Sequence, residues 1–563
     1  MPNSPDIDPT NPAAERSAVA AALTAWYALA RSSQVRDGSA NDGGWMNNGW
    51  CAGRDAAFRL ARLIAIRIWA AECRVSVAET DDAIRRAARF IAARQHPGGE
   101  LDLGGFYSPN EAGFTLPGLC AGYKRLAALG GNPLGDVCAT LESFIKKAAD
   151  AVVNGSAYTA NHRWAAACAP LACANALWPD SKYMAKIESY LADGIDCNED
   201  GCWYEERSPN YNTVANYGMF SMADALGRDD LLEHVKRSLN FTLYSIQPNG
   251  EMDSSISHRQ DRGQPDRLAS DYSVARRVAL LTGDGRCTTL AREMWRRGGG
   301  LSGDLVPLPF WIDDFPGPLP SPELLPTRYE RRYISTGIAR VRDDDRALTL
   351  ACDRGGHFYD VVRDGYGGPK RSEDWLHLHA GNIVVQTIRL AGAGMTYIMP
   401  DRLDDVGKGS WHLSGFVEKW VFPVHFRPGS PPLDFRWDWS HEIDVALSGD
   451  ELRVQLRSDA PKALRAELWL WIRPGVALTE SDSPEIKLAA GKRIALKGGG
   501  PLRLESQTHR LEIIGLPSAQ HSVPMLPTEA IPSSIMTDCC GLFLGLLFPV
   551  DVDLVFRHSR ITQ

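Results

Sequence analysis

Two different periods of apolar residues divide this chain. Across residues 14–298 the apolar positions recur at helical spacing, as in Ala18, Ala22, Trp26 and Leu29 or Phe58, Leu60, Leu63, Ile64 and Ile68, while Val, Ile and Thr are sparse. Gly98-Gly99, Gly130-Gly131-Asn132-Pro133, Asp193-Gly194 and Gly227-Arg228-Asp229 interrupt the pattern and read as turns of helical hairpins. Hairpins repeated in this rhythm predict an (α/α) toroid over residues 1–298, with an open solenoid or irregular bundle as the other ways to stack them. Residues 299–328 are rich in Gly and Pro and read as a linker. Beyond them the period becomes two: Ile338, Arg340 and Arg342; Ala347, Thr349 and Ala351; and Glu451, Arg453 and Gln455 opposite Leu452, Val454 and Leu456. This alternation, with turn signals at Ser448-Gly449-Asp450 and Ala490-Gly491-Lys492, predicts an antiparallel β-sandwich over residues 329–563. The expected class is a multidomain α and β protein.

Composition narrows the function. With 563 residues, 44% hydrophobic and 23% charged, the chain can bury two large cores. A net charge of -8 argues against whole-surface nucleic-acid binding and leaves room for a local basic cleft that takes an anionic substrate. Neither a basic and apolar leader nor a run of about 18 apolar residues is visible, so the expectation is a cytoplasmic protein as written, or a periplasmic one whose leader was removed. The 12 cysteines lie scattered in apolar segments and read as buried thiols.

Three segments carry candidate chemistry. Thr159-Ala160-Asn161-His162-Arg163-Trp164 opens a helix with Thr159 as cap, where unpaired N–H groups and the positive dipole end welcome a carboxylate. Asn161 can donate an amide N–H, and His162 is a donor when protonated or a base when neutral. The loop from Asp200 to Asn212 leads into a helix from Val214 to Leu226. It offers Trp203 as a stacking platform, Glu206 and Arg207 as substrate contacts, and Tyr211 as a proton-transferring phenol if a cation lowers its pKa. Finally, Asp374-Trp375-Leu376-His377-Leu378-His379-Ala380 enters a strand from Ile383 to Leu390, and its two histidines share a face. They can present an imidazole or, with Asp401 or His441, hold a structural zinc through His379. Arg163 and Arg259 are further candidates for substrate binding. Asn48, Asn110, His258 and Arg262 can line subsites, and Trp45 and Trp50 can stack on sugars.

In the order and spacing of these motifs the chain resembles the heparinase II/III-like and alginate-lyase-like polysaccharide lyases. The resemblance covers nearly the whole length and rests on Asn161-His162, on Glu206-Arg207-Ser208-Pro209-Asn210-Tyr211 and on His377-Leu378-His379-Ala380. It implies that Asn161 and His377 bind a uronate carboxyl, that Tyr211 transfers the proton and that His162 is the alternative base. No cofactor is implied for catalysis. Gly381 stands where the family usually has Asp after His-Ala, which weakens the zinc assignment.

The implied reaction is β-elimination at C4 of a uronic acid in an anionic oligo- or polysaccharide. The C5 proton becomes removable once the carboxylate charge is neutralised, and an unsaturated uronate results. Positions 161, 211 and 377 are expected to converge on one pocket. Two other readings stand beside this one: a toroid glycoside hydrolase using Glu205 or Glu206 with Asp253, and a non-catalytic carbohydrate-binding protein.

Overall fold

The computed structural model describes residues 8, 10–103, 106–203, 207–257, 261–264, 272–298, 317–352, 374–391, 400–417, 439–459, 465–481, 483–523 and 537–561. They form two compact units that interleave in sequence. The first takes residues 1–204, 210–243 and 266–325, and the second 205–209, 244–265 and 326–563. The expected helical domain over 1–298 therefore differs from the first unit at two insertions and at its end, where the unit takes in residues to 325 of the expected linker.

The first unit is helical: α1 Pro12–Ser33, α2 Gly53–Ile68, α3 Val77–Arg94, α4 Pro109–Ala127, α5 Gly135–Asn154, a π-helix His162–Cys168 continued by α6 Ala169–Leu177, α7 Ser181–Ala192, α8 Pro209–Leu226, α9 Leu232–Leu243, α10 Tyr272–Thr282 and α11 Gly285–Gly298. A short hairpin, β1 Leu101–Leu103 with β2 Phe106–Ser108, precedes α4. Side-chain caps start several helices, with Asn11 on α1, Ser76 on α3, Ser108 on α4 and Asp180 on α7.

Contacts run around this unit from one helix to the next. The Arg16 guanidinium covers the Trp69 ring at the end of α2, and Gly118 and Gly122 of α4 seat against Ala61 and Ile64 of α2. Gly113 of α4 and Gly218 of α8 press on Ala166 and Ala165 of the π-helix. Arg277 of α10 pairs with Asp224 of α8 through Nη2 to Oδ1 at 2.8 Å. The series then returns to its start, since Arg276 of α10 holds Glu15 of α1 by two bonds of 2.6 and 2.7 Å, with the Tyr272 hydroxyl also on Glu15. All three side chains are buried. A buried carboxylate persists only when paired and hydrogen-bonded, and here three donors meet it.

The second unit is built of strands: β3 Arg328–Tyr333, β4 Ile338–Asp343, β5 Arg346–Ala351, β6 Leu376–Ala380, β7 Ile383–Ala391, β8 Arg402–Gly407, β9 Ser410–Val417, β10 Trp439–Ser448, β11 Glu451–Asp459, β12 Arg465–Ile472, β13 Ala477–Glu480, β14 Ile486–Lys487, β15 Arg493–Ala495, β16 Leu502–Glu505, β17 His509–Ile514, β18 Cys540–Leu547 and β19 Val550–Arg560. Among the described residues they make one sheet in the order β15-β18-β12-β7-β6-β5-β4-β3 and another in the order β14-β13-β16-β17-β19-β11-β10-β9-β8. Alternate residues of both sheets, among them Leu348, Leu378, Ile388 and Leu468 from one and Leu413, Val454, Leu511 and Phe556 from the other, fill a single apolar core. This is the expected sandwich. Every described pairing is antiparallel except β15 with β18, which is parallel.

Residues 244–257 fall within the expected helical stretch, and the structure sets them against the outer face of the first sheet. Arg340 of β4 donates to the carbonyl of Ile246, to Gln247 and to Asp253, so a buried guanidinium fixes the segment. All twelve cysteines are free, and all but Cys138 are buried.

Candidate active site

In the helical unit the candidate chemistry sits where the π-helix and α8 begin. The sequence Ala165-Ala166-Ala167 would suit an ordinary α-helix. Instead, Gly113 and Gly218 bring neighbouring backbones so close that a Cβ on either would lie 1.9 Å from the Ala166 carbonyl oxygen or 2.5 Å from the Ala165 Cα. Between these two contacts the turns widen to i→i+5 bonding, as in the Ala169 N–H to Trp164 carbonyl bond. Single π turns of this kind concentrate at functional sites.

Asn161 stands at the entrance to this helix. It is buried, makes no cap bond, and its Oδ1 has no hydrogen-bond partner. The expected Thr159 cap is also not made, since the Thr159 hydroxyl is buried without a partner. His162 is half-buried with the Phe114 ring edge-on at 5.3 Å. Phe114 packs with Ala165, Ala166 and Val214, so the starts of α4, the π-helix and α8 share one small apolar floor.

Pro209 begins α8 five residues earlier than Val214, the start read from the sequence, and proline suits a first helical position. Tyr211 therefore lies in the first turn of a helix, half-buried, rather than in a loop. Two residues that sequence reasoning did not single out follow it. Asn212 has a buried Oδ1 with no partner, and fully buried Asn216 has an unpartnered Nδ2 while its Oδ1 accepts from Trp203 Nε1 at 3.0 Å. Buried polar groups are nearly always paired, so three amides with an unpartnered atom, two on α8 and one at the adjoining helix start, single out this place. Tyr217, by contrast, is fully buried and its phenol is pushed well above the ordinary value by burial. It is not a proton carrier at neutral pH.

Arg54, in the first turn of α2, is another omission. It pairs with Glu111 at 3.0 Å and lies over the Phe58 and Phe114 rings. Burial raises the Glu111 carboxyl, with Arg54 opposing. Arg54 thus places a cation on the same Phe114 ring that His162 touches.

Several sequence expectations are corrected. Arg163 is a structural residue: its guanidinium donates to Asp196 at 3.3 Å and to the carbonyls of Tyr190 and Gly194 at 2.8 and 3.2 Å, and it stacks on Trp164 and Tyr190. Trp203 is buried with its indole N–H engaged by Asn216, and Trp45 is buried with its N–H on the Ala30 carbonyl, so neither offers a face to a sugar. Trp50 remains exposed. Arg207 belongs to the sheet unit, buried, with a φ of 46° and Nη1 donating to the Cys352 carbonyl at 3.0 Å. Asn110 bonds the Ser156 carbonyl, and Arg262 lies 3.7 Å from Asp374. Glu206 and Arg259, with Tyr204, Glu205 and His258, lie outside the described residues.

His377 and His379 occupy the outer face of the first sheet in the second unit, both buried. The Gln386 carbonyl can only accept, so the His377 Nδ1 at 3.0 Å from it carries a proton. Burial drives His377 below the ordinary imidazole value, with Asp253 opposing and Arg473 assisting, and drives His379 well below it. In the neutral ring the His377 Nε2 is an acceptor, and His379 Nε2 donates to it at 3.1 Å. Both nitrogens of His377 are therefore engaged within the sheet. The expected carboxyl-binding donor is not available in this arrangement. Asp253, beside Arg340, is raised by burial and lowered more by His377, Arg340 and hydroxyl donors, to about 2. Among the described residues no three His, Cys, Asp or Glu side chains gather as metal ligands, so the donor set does not fit the zinc expected at His379 with Asp401 or His441.

No family model matches the sequence, and no curated protein does either. Solved structures do match. The chondroitin AC lyase of Streptomyces coelicolor A3, determined with chondroitin sulphate, aligns with a TM-score of 0.57 at 13% identity, over 97% of this chain and 80% of that one. The fold is that of a polysaccharide lyase. A second chondroitinase AC lyase, studied with oligosaccharides, aligns at TM-score 0.52 and 9% identity over 97% of this chain and 82% of its own. The heparan sulfate lyase HepC from Pedobacter heparinus aligns at TM-score 0.47 and 12% identity, over 98% and 90% of the two chains. The lyase fold joins a helical amino-terminal part to carboxy-terminal sheets, as the change in apolar period predicts.

Proposed function

We propose that this protein is a polysaccharide lyase that cleaves the C4–O bond of a uronic acid by β-elimination in an anionic glycan of the glycosaminoglycan kind. The observation that carries the reading is the buried amide of Asn161, its Oδ1 without a partner, beside His162 at a widened helix start within a lyase fold.

Asn161 and the Arg54 cation neutralise the uronate carboxylate, which makes the C5 proton removable. Tyr211 takes that proton, with His162 as the alternative base, and either group returns one to the departing C4 oxygen. The amide of Asn161 can turn by 180°, so its open end serves as donor or acceptor. His377 has no part in this scheme.

The test is ultraviolet absorbance of the conjugated C4=C5 product over a panel of uronate glycans, chondroitin and heparan sulphates included. Asn161→Ala should lower turnover by ~10² to 10³ and Tyr211→Phe by ~10² to 10⁴, with unfolding midpoints unchanged. Full activity in either variant removes that residue from the mechanism, and products without the chromophore would replace elimination by hydrolysis.

A further inference from the structure

The sandwich holds a cavity of about 410 Å³ at the hairpin end of the two sheets, lined only by residues of the second unit. Its walls are apolar, with Val341, Leu348 and Leu378 from one sheet and Leu452 and Phe556 from the other. The cavity opens to solvent, and its volume is one that small-molecule sites commonly have.

Two buried histidines, His379 and His558, are among the lining residues, and His558 lies on the core face of its strand. Along β19 the residues Val550, Val552, Leu554 and Phe556 are buried in the sandwich core, and His558 continues that face. It is 7% exposed, it lines the cavity, and its Nε2 has no hydrogen-bond partner. Burial lowers its pKa, with Asp345 opposing and His509 assisting, so the ring is neutral at pH 7. A neutral imidazole nitrogen is either donor or acceptor according to tautomer, and a hydroxyl group satisfies both cases.

The rim selects by charge. Glu330, Asp343 and Asp450 face Arg346 and Lys408, and Arg346 is already held by Asp343, by Asp450 at 2.7 Å and by the Gly449 carbonyl. The balance is acidic and opposes an anion. A uronate is therefore the wrong ligand for this cavity.

We infer that the end of the sandwich is a second binding site, for a small uncharged molecule with an apolar, ring-sized body and one hydroxyl directed at His558. The probes are 2-naphthol, naphthalene and 2-naphthoate, measured by calorimetric or fluorescence titration of the full chain. 2-Naphthol should saturate one site and bind roughly tenfold tighter than naphthalene, the difference expected from one hydrogen bond to a buried group. 2-Naphthoate should bind more weakly than 2-naphthol. In His558→Phe the preference for 2-naphthol over naphthalene should vanish, and in Leu452→Trp, which fills the cavity, all saturable binding should be lost. Leu348→Phe repeats the filling from the opposite sheet if Leu452→Trp does not fold. No saturable binding to the wild type, unchanged binding in a folded filled variant, an unchanged preference in His558→Phe, or tighter binding of 2-naphthoate would each overturn the inference.

Discussion

Substituting Gly218 by alanine sets two effects of opposite sign against each other at the candidate site. In an exposed helix the change would stabilise the chain by about 1 kcal/mol, because alanine loses less backbone freedom than glycine. Here the new Cβ would lie 2.5 Å from the Ala165 N and Cα and from the Trp164 carbonyl carbon, where ordinary contact is 3.4–4 Å. The atoms it meets are backbone, so no side chain can swing aside, and α8 must move from the π-helix by ~1 Å. Such overpacking costs about 1 to 3 kcal/mol, and a rigid backbone contact places it at the upper end. The net expectation is ~2 kcal/mol of destabilisation, a fall of several degrees in the thermal midpoint. Displacement by ~1 Å at the start of α8 also moves Tyr211 relative to Asn161, and misplacement on that scale can cost ~10² in turnover. The measurements are thermal unfolding of the full chain and the initial rate of ultraviolet product formation. A variant as stable as the wild type would refute the close packing argued for the π-helix, and a destabilised variant with full turnover would refute its role in positioning.

Four other outcomes are expected. Glu15→Ala leaves Arg276 buried without its partner and should cost about 3 to 5 kcal/mol in urea unfolding, far more than an exposed pair such as Arg16 with Glu72. Arg163→Ala should cost about 1 to 3 kcal/mol by leaving the half-buried Asp196 carboxylate with the Trp164 indole N–H as a partner but without its cation, and a variant that keeps wild-type stability while losing substrate affinity would return Arg163 to the substrate. Arg54→Ala should lower kcat/KM, with kcat falling as well as KM rising, and an unchanged kcat would count against its part in neutralising the carboxylate. The Asp253 carboxyl is held at about 2 in the folded protein, below its ordinary 3.8, so its contribution is complete above about pH 4 and is lost as pH falls through 2. That lowered value amounts to ~2 kcal/mol. Asp253→Asn should lack this part of the acid-unfolding slope, and an identical slope in the two proteins would show that Asp253 titrates normally.

The change from period 3.6 to period 2 made the two architectures legible, because one face of each element must meet a core and the sequence repeats at the spacing of that face. The starts of the candidate helices were legible for the same local reason, although Pro209 rather than Val214 opens α8. What escaped was set by distant partners. Ala165 and Ala166 carry no mark of a π-helix, and the glycines packed closely against them, Gly113 and Gly218, come from other helices. Trp203 reads as an exposed platform until Asn216 takes its N–H. His377 reads as a free donor until the next strand brings the Gln386 carbonyl to it and His379 meets its other nitrogen. Residues 244–257 follow helices in sequence, yet Arg340 in a later strand holds Ile246, Gln247 and Asp253 to the sheet.

The pairing of Glu15 with Arg276 spans 261 positions, which has a consequence during synthesis. At about 5 to 20 residues per second, translation leaves the first helix waiting roughly 13 to 50 s for its partner. Throughout that interval a nascent carboxylate that ends up dry must stay hydrated on the ribosome-bound chain. The last hairpin to emerge therefore acts as the latch of the whole helical unit.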